Sequence, residues 1–142
     1  MIYWSPQKSA IIFVLIILNI KMQNYISVLK KYAVWSGRAG RREYWMFFLW
    51  NAIISIILSI ISSIIGDDIG ILGGIYGLAV LLPGIAVAVR RLHDTGRSAW
   101  WVLLCLIPII GWIWLIVLYV KDSQTGDNKY GPNPKGVQTP VV

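Results

Sequence analysis

The chain has 142 residues, of which 57% are hydrophobic and 13% charged, and its formal net charge is +7. That charged share is roughly half of what a water-soluble domain carries, and a chain this short has too much surface for its volume to hide so many apolar groups. A soluble globular fold is excluded, and lipid is the expected solvent. The cations lie in short segments between apolar runs, as topology signals do, rather than as a stripe on a soluble face, which argues against a nucleic-acid partner.

The first apolar run, Ala10 to Leu18, stops at Asn19, too short to span a bilayer. Read as a signal peptide it has only Lys8 for an n-region, and Asn19-Ile20-Lys21 offers no small-residue cleavage site. Two readings remain: an uncleaved hydrophobic arm, or an upstream extension over residues 1–21 with Met22 as the working start, the second being favoured. From Met22 to Trp35, Met22, Tyr25, Ile26, Leu29, Tyr32 and Ala33 share one helical face, while Gln23, Asn24, Ser27, Lys30 and Lys31 gather away from it. Apolar and aromatic groups opposite lysines predict an amphipathic helix on an anionic leaflet.

Three longer apolar segments follow, Tyr44 to Ile65, Ile71 to Val89 and Ala99 to Val120, none with a charged residue. Each is about twenty residues, roughly 30 Å of helix, which matches the hydrocarbon thickness. In lipid the backbone must satisfy itself, so even the isoleucine-rich first segment is predicted helical. The expected fold is therefore all-α and polytopic: three transmembrane helices preceded by an interfacial amphipathic helix, with a membrane domain over residues 22–134 and a flexible tail over 135–142. Along the first span Asn51, Ser55, Ser59, Ser62 and Ser63 form a polar stripe. In the second, Gly70 with Gly74 and Gly73 with Gly77 make overlapping G-x-x-x-G pairs, a helix-packing signature. Pro83 and Gly84 are expected to bend the second helix. Pro108 and Gly111 interrupt the third, which leaves a re-entrant hairpin open as an alternative to a full crossing. Beyond Val120 the chain turns polar, and Gly126, Gly131, Pro132 and Pro134 predict an extended tail without a core of its own.

Orientation follows from the flanking charges. Lys21, Lys30, Lys31, Arg38, Arg41 and Arg42 precede the first span, and Arg90, Arg91 and Arg97 flank the second loop, whereas the loop from Gly66 to Gly70 holds Asp67 and Asp68 and no cation. The positive-inside rule puts the amino end and the second loop in the cytoplasm and the acidic loop outside. Three full spans put the tail outside; a re-entrant third segment returns it inside. Trp45, Trp100 and Trp101 stand at the expected cytoplasmic interface, where indoles prefer to sit.

Two charged clusters border the spans on that side: Ser36-Gly-Arg-Ala-Gly-Arg-Arg-Glu-Tyr-Trp, and Arg90-Arg-Leu-His-Asp-Thr-Gly-Arg-Ser-Ala-Trp-Trp. With the tail stretch Gly126-Asp-Asn-Lys-Tyr-Gly-Pro-Asn-Pro, they resemble domain-of-unknown-function family 805, a group of small bacterial inner-membrane proteins. The resemblance covers about residues 22–134, and its most specific part is Arg-Arg-Leu-His-Asp followed by Gly-Arg-Ser. It implies a multi-pass protein of the bacterial inner, or plasma, membrane, and it implies no activity.

Read from the residues themselves, Glu43 at the mouth of the first span needs a cation at that depth, and Arg90 or Arg91 is the expected partner. Glu43, Arg90, Arg91, His93, Asp94 and Arg97 are thus expected in one cytoplasmic-side patch, net positive and suited to an anionic lipid phosphate. His93 with its arginines also admits a catalytic reading, as base or nucleophile beside a bound phosphate. A lone histidine without a cysteine or carboxylate cluster makes no recognisable metal site, and no cofactor is expected. The best expectation is a non-enzymatic membrane component that contacts lipid headgroups or partner proteins, a second copy included. A small transporter or channel subunit comes next, although ion coupling usually places ionisable groups within the spans. An enzyme acting on phosphorylated lipid comes third.

Overall fold

The computed structural model describes residues 6–67 and 70–136, with Asp68 of the acidic loop and the end of the tail outside the described residues. Among the described residues four α-helices follow in order, α1 (Pro6–Lys30), α2 (Arg41–Ile65), α3 (Ile71–Asp94) and α4 (Ile110–Val120), with a 3₁₀ helix over Ala99–Leu106 before α4. Among the described residues there is no strand beyond an isolated bridge between Asn128 and Gly131. Three helices are long and apolar enough to cross a membrane, as the sequence predicts, but the three are α1 from Lys8, α2 and α3.

The first correction is therefore α1. One helix replaces the short apolar run and the surface helix expected over Met22 to Trp35, and it passes through Asn19 without a break. Asn19, read as a stop, and the polar face beyond it bond within the helix: Gln23 Nε2 donates to Asn19 Oδ1 at 3.3 Å and Ser27 Oγ to the Asn24 carbonyl at 2.8 Å. Tyr25 stacks on Phe47 at 5.5 Å between ring centroids, and Lys31 lies 3.7 Å from Glu43. Moving back along α1 is thus moving forward along α2, so the two are antiparallel.

The second correction is the third apolar segment, which breaks where Pro108 and Gly111 stand. Ile109 adopts φ 65° and ψ −72°, and the Ile110 amide donates to the Pro108 carbonyl at 2.8 Å. This is a γ-turn of the strained, positive-φ kind, and it folds the 3₁₀ helix and α4 into a hairpin. A side chain at Gly111 would overlap the carbonyl oxygen of Leu104; only glycine lets the two arms approach so closely.

Between α2 and α3 the Asp67 carboxylate accepts from the amides of Leu72 (3.0 Å) and Ile71 (2.9 Å). These are orphan donors of the first turn of α3, and they hold the Asp67 carboxyl below the usual carboxylate range. α3 runs unbroken through Pro83, which is buried. The buried residues concentrate at one end of the bundle, where Val28, Phe47, Val87, Leu92 and Leu118 meet; towards the Asp67 end Ile64 and Leu78 are 78% and 71% exposed.

Candidate functional site

The buried end is a cap built on the carboxyl terminus of α3. A helix end leaves its last carbonyls without intrahelical donors, and here the neighbouring segments supply them. The Ala39 amide donates to the Arg90 carbonyl at 3.0 Å and the Gln124 amide to the Asp94 carbonyl at 2.9 Å. Asn128 Nδ2 donates to the His93 carbonyl at 2.9 Å.

Asp94 is the centre of the cap, with its side chain 0% exposed. It accepts from Arg38 Nε at 3.0 Å, from Arg91 Nη1, and from Ser123 Oγ at 2.6 Å. Arg38 then spreads its remaining donors over the tail, reaching the carbonyls of Gln124 and Gly126, each at 2.7 Å. Arg91 donates to the carbonyls of Tyr119 (3.1 Å) and Lys121. A buried charge is tolerable only when paired and hydrogen-bonded on all sides, and the fork of a guanidinium suits one carboxylate plus several carbonyls.

Beside this network Arg90, 1% exposed, donates from Nη1 to Glu43 Oε1 at 2.8 Å, and Lys31 approaches the same oxygen. One carboxylate thereby ties α1, α2 and α3 together. His93 lies face to face with Tyr130, ring centroids 3.9 Å apart and planes at 5°, with Nδ1 at 3.2 Å from the Gly37 carbonyl. A carbonyl only accepts, so this nitrogen carries the proton.

The structure thus brings Glu43 to Arg90, and Arg91 and His93 to the Asp94 cluster. It sets Arg97 apart, with its guanidinium 5.4 Å from the Trp101 ring. For Arg91 the expected phosphate contact is corrected, since its donors turn inward onto Asp94 and the carbonyls of Tyr119 and Lys121; Nε and Nη2 of Arg90 and Nε of Arg97 are buried without a hydrogen-bond partner among the described residues. Sequence reasoning missed Arg38 and the tail residues Ser123, Gln124, Gly126 and Asn128. The tail is corrected as well. Its turn residues fold it locally, with the Tyr130 amide donating to Asn128 Oδ1 at 2.9 Å, and strap it over the cap. The strap therefore lies on the same side as the α3 terminus, as the re-entrant alternative requires.

The packing residues differ from expectation too. A Cβ added at Gly70, Gly73, Gly74 or Gly77 would meet nothing within 4 Å, so among the described residues no helix packs closely at these glycines. Ser55, Ser59, Ser62 and Ser63 line a crevice of about 450 Å³ between α2 and α3. Asn51 Oδ1 instead accepts from Tyr76 at 2.5 Å, and the Tyr76 oxygen lies 3.1 Å from that of Tyr25, a polar chain joining three helices. Among the described residues no group of His, Cys, Asp and Glu has the makings of a metal site. Around the cap the exposed cations include Lys30, Lys31, Arg41 and Arg42, with Lys121, Lys129 and Lys135 on the strap, and the exposed indoles include Trp35, Trp45, Trp100 and Trp101.

Comparison with known proteins places this geometry. The family model described as "Protein of unknown function (DUF805)" matches residues 32–132, a stretch holding both charged clusters and most of the strap. The chain is 50% identical to the "Inner membrane protein YhaI" of Escherichia coli (strain K12), over 80% of this chain and 97% of that one. It is 49% identical to the "Inner membrane protein YhaH" of the same strain, over 80% and 98%. A more distant likeness, 29% identity over 72% of this chain and 86% of the other, joins it to the "Uncharacterized protein YiiR" of that strain. No solved structure matches the chain.

Proposed function

This chain belongs to the DUF805 family and is an integral inner-membrane protein, and on that footing we propose that it is a non-enzymatic membrane component that works by contact with lipid headgroups. The observation that carries this reading is how the cap spends its charge. Asp94 is saturated by two arginines and a serine. His93 is sandwiched between Tyr130 and the Gly37 carbonyl. The groups best suited to acid–base chemistry are thus committed to holding the chain together, whereas Lys30, Lys31, Arg41 and Arg42 remain outside, level with the indoles. Exposed cations beside tryptophans at one level of a bundle suit an anionic headgroup layer.

The positive-inside rule puts the cap, with the α1–α2 connection and the strap, in the cytoplasm. On this reading the segment from Lys30 to Arg42 is cytoplasmic. The Pro6 end of α1 lies about 36 Å of helix away from Lys30.

Brominated lipids test the headgroup reading, because they quench only the indoles they touch. In bilayers mixing phosphatidylglycerol and phosphatidylcholine, brominated phosphatidylglycerol should quench tryptophan fluorescence more than its zwitterionic counterpart. Lys30, Lys31 and Arg42 replaced together by Gln should remove much of that preference. Equal quenching by the two lipids in the unaltered protein would overturn the reading.

A further inference from the structure

A second cavity lies in the cap-side half of the membrane region. It is a groove of about 420 Å³ between α2, α3 and the hairpin of the 3₁₀ helix and α4, and its walls include Tyr44, Phe48, Gly77, Leu81, Cys105 and Tyr119. The walls are apolar or aromatic almost throughout, and Phe48 (42% exposed) and Leu81 (53%) open it sideways. Along α3 it extends from Gly77 to Ala88, about 16 Å of helix, close to half the thickness of a bilayer's hydrocarbon core.

Its cap end carries charge. Arg41 precedes Tyr44 by one turn on the same face of α2 and is 45% exposed in its side chain; Lys121, also exposed, follows Tyr119 by two residues. Asp122 stands at the same mouth, 3.8 Å from Arg41 and bonded to Lys135. Three cations against one carboxylate leave the mouth net positive. A trough one leaflet deep, apolar along its length and cationic at the headgroup level, matches an amphiphile with an anionic head. A second copy fits poorly: related by an axis along the membrane normal, it would bring an identical cationic mouth to the same level, and like charges juxtaposed across an interface repel.

We propose that this groove is a binding site for an anionic phospholipid of the cap-side leaflet, with one acyl chain along α3 and the phosphate at Arg41 and Lys121. The proposal rests on the headgroup reading and adds to it a single, saturable site. The glycine at position 77 has a role here that packing does not give it: a side chain at Gly77 would project into the groove without striking the protein.

Native mass spectrometry of the delipidated full-length protein, titrated with dioleoylphosphatidylglycerol or dioleoylphosphatidylcholine, tests it. One phosphatidylglycerol should bind per chain at saturation. It should bind about twentyfold tighter than phosphatidylcholine, since each cation near a headgroup contributes on the order of fivefold. Arg41→Gln should remove about fivefold of that advantage. Gly77→Leu should abolish the saturable site for both lipids at an unchanged melting temperature, with Leu81→Trp as a second way to fill the groove. Saturable binding that survives both fillings would overturn the proposal, as would a lipid-free dimer. If no saturable lipid is found while brominated phosphatidylglycerol still quenches preferentially, the groove fails and the headgroup reading stands. If the quenching preference is also absent, both fall.

Discussion

At the cap, Arg38, Arg91 and Asp94 have side chains no more than 1% exposed, and every one of them is paired. At the other end of α3, a Cβ added at Gly73 or Gly74 would meet nothing within 4 Å, and the serines of α2 border an open crevice. One end is closed by burying charge against carbonyls, and the other is left to the bilayer. The contrast shows where this fold keeps its specificity. Lipid supplies no hydrophobic drive to bring apolar helices together, so the unique arrangement rests on polar contacts, and these gather at the cap and in the Tyr25–Tyr76–Asn51 chain.

If that contrast is right, the largest effect belongs to Asp94. Asp94→Ala leaves Arg38 and Arg91 buried without a carboxylate and should cost about 3–5 kcal/mol, read as the loss of a cooperative thermal transition in detergent. A variant that melts like the unaltered protein would show that the tail carbonyls alone hold the arginines. Gly111→Ala comes next, because its methyl group overlaps the Leu104 carbonyl at the hairpin; overpacking of this kind should cost about 3 kcal/mol.

Glu43 sharpens the comparison from the membrane side of the cap. Its side chain is 16% exposed and that of Arg90 1%, so Glu43→Arg should destabilise by about 2 kcal/mol, less than a fully buried pair. Adding Arg90→Glu should restore part of that loss. The smallest effects are expected where the chain leaves open space. Gly73→Leu and Gly77→Leu should change stability by less than about 0.5 kcal/mol, within the range of unpacked surface positions. A large loss on Gly73→Leu would mean that a second copy covers that face, and the contrast between the ends would then hold for the single chain alone.

The legible parts of this molecule are those whose physics is local or compositional. The membrane-length helices α2 and α3, and the need of Glu43 for a second-loop arginine, follow from apolar length and from the cost of a lone carboxylate at that depth. The break at Pro108 and Gly111 was visible as a feature but not as an outcome, because only the Leu104 carbonyl opposite Gly111 makes the hairpin arms close. Asn19 misled for a related reason: an amide reads as a stop until its bond to Gln23 within the helix is known. Arg38 and the strap were illegible, since their bonds join positions 86 and 88 residues apart in sequence. The available signal was the tail's run of turn residues, which folds a short segment as readily as it extends one.

Cysteine accessibility tests most directly whether the strap returns to the cap. In a Cys105→Ala background, single cysteines at Ser98, Lys135 and Asp67 are exposed to a membrane-impermeant thiol reagent in intact cells and again after lysis. Ser98→Cys and Lys135→Cys should both be protected in cells and labelled after lysis, while Asp67→Cys should label from outside. Labelling of Lys135→Cys in intact cells, with Ser98→Cys protected, would mean that the third apolar segment crosses the membrane, and the cap described here would not form.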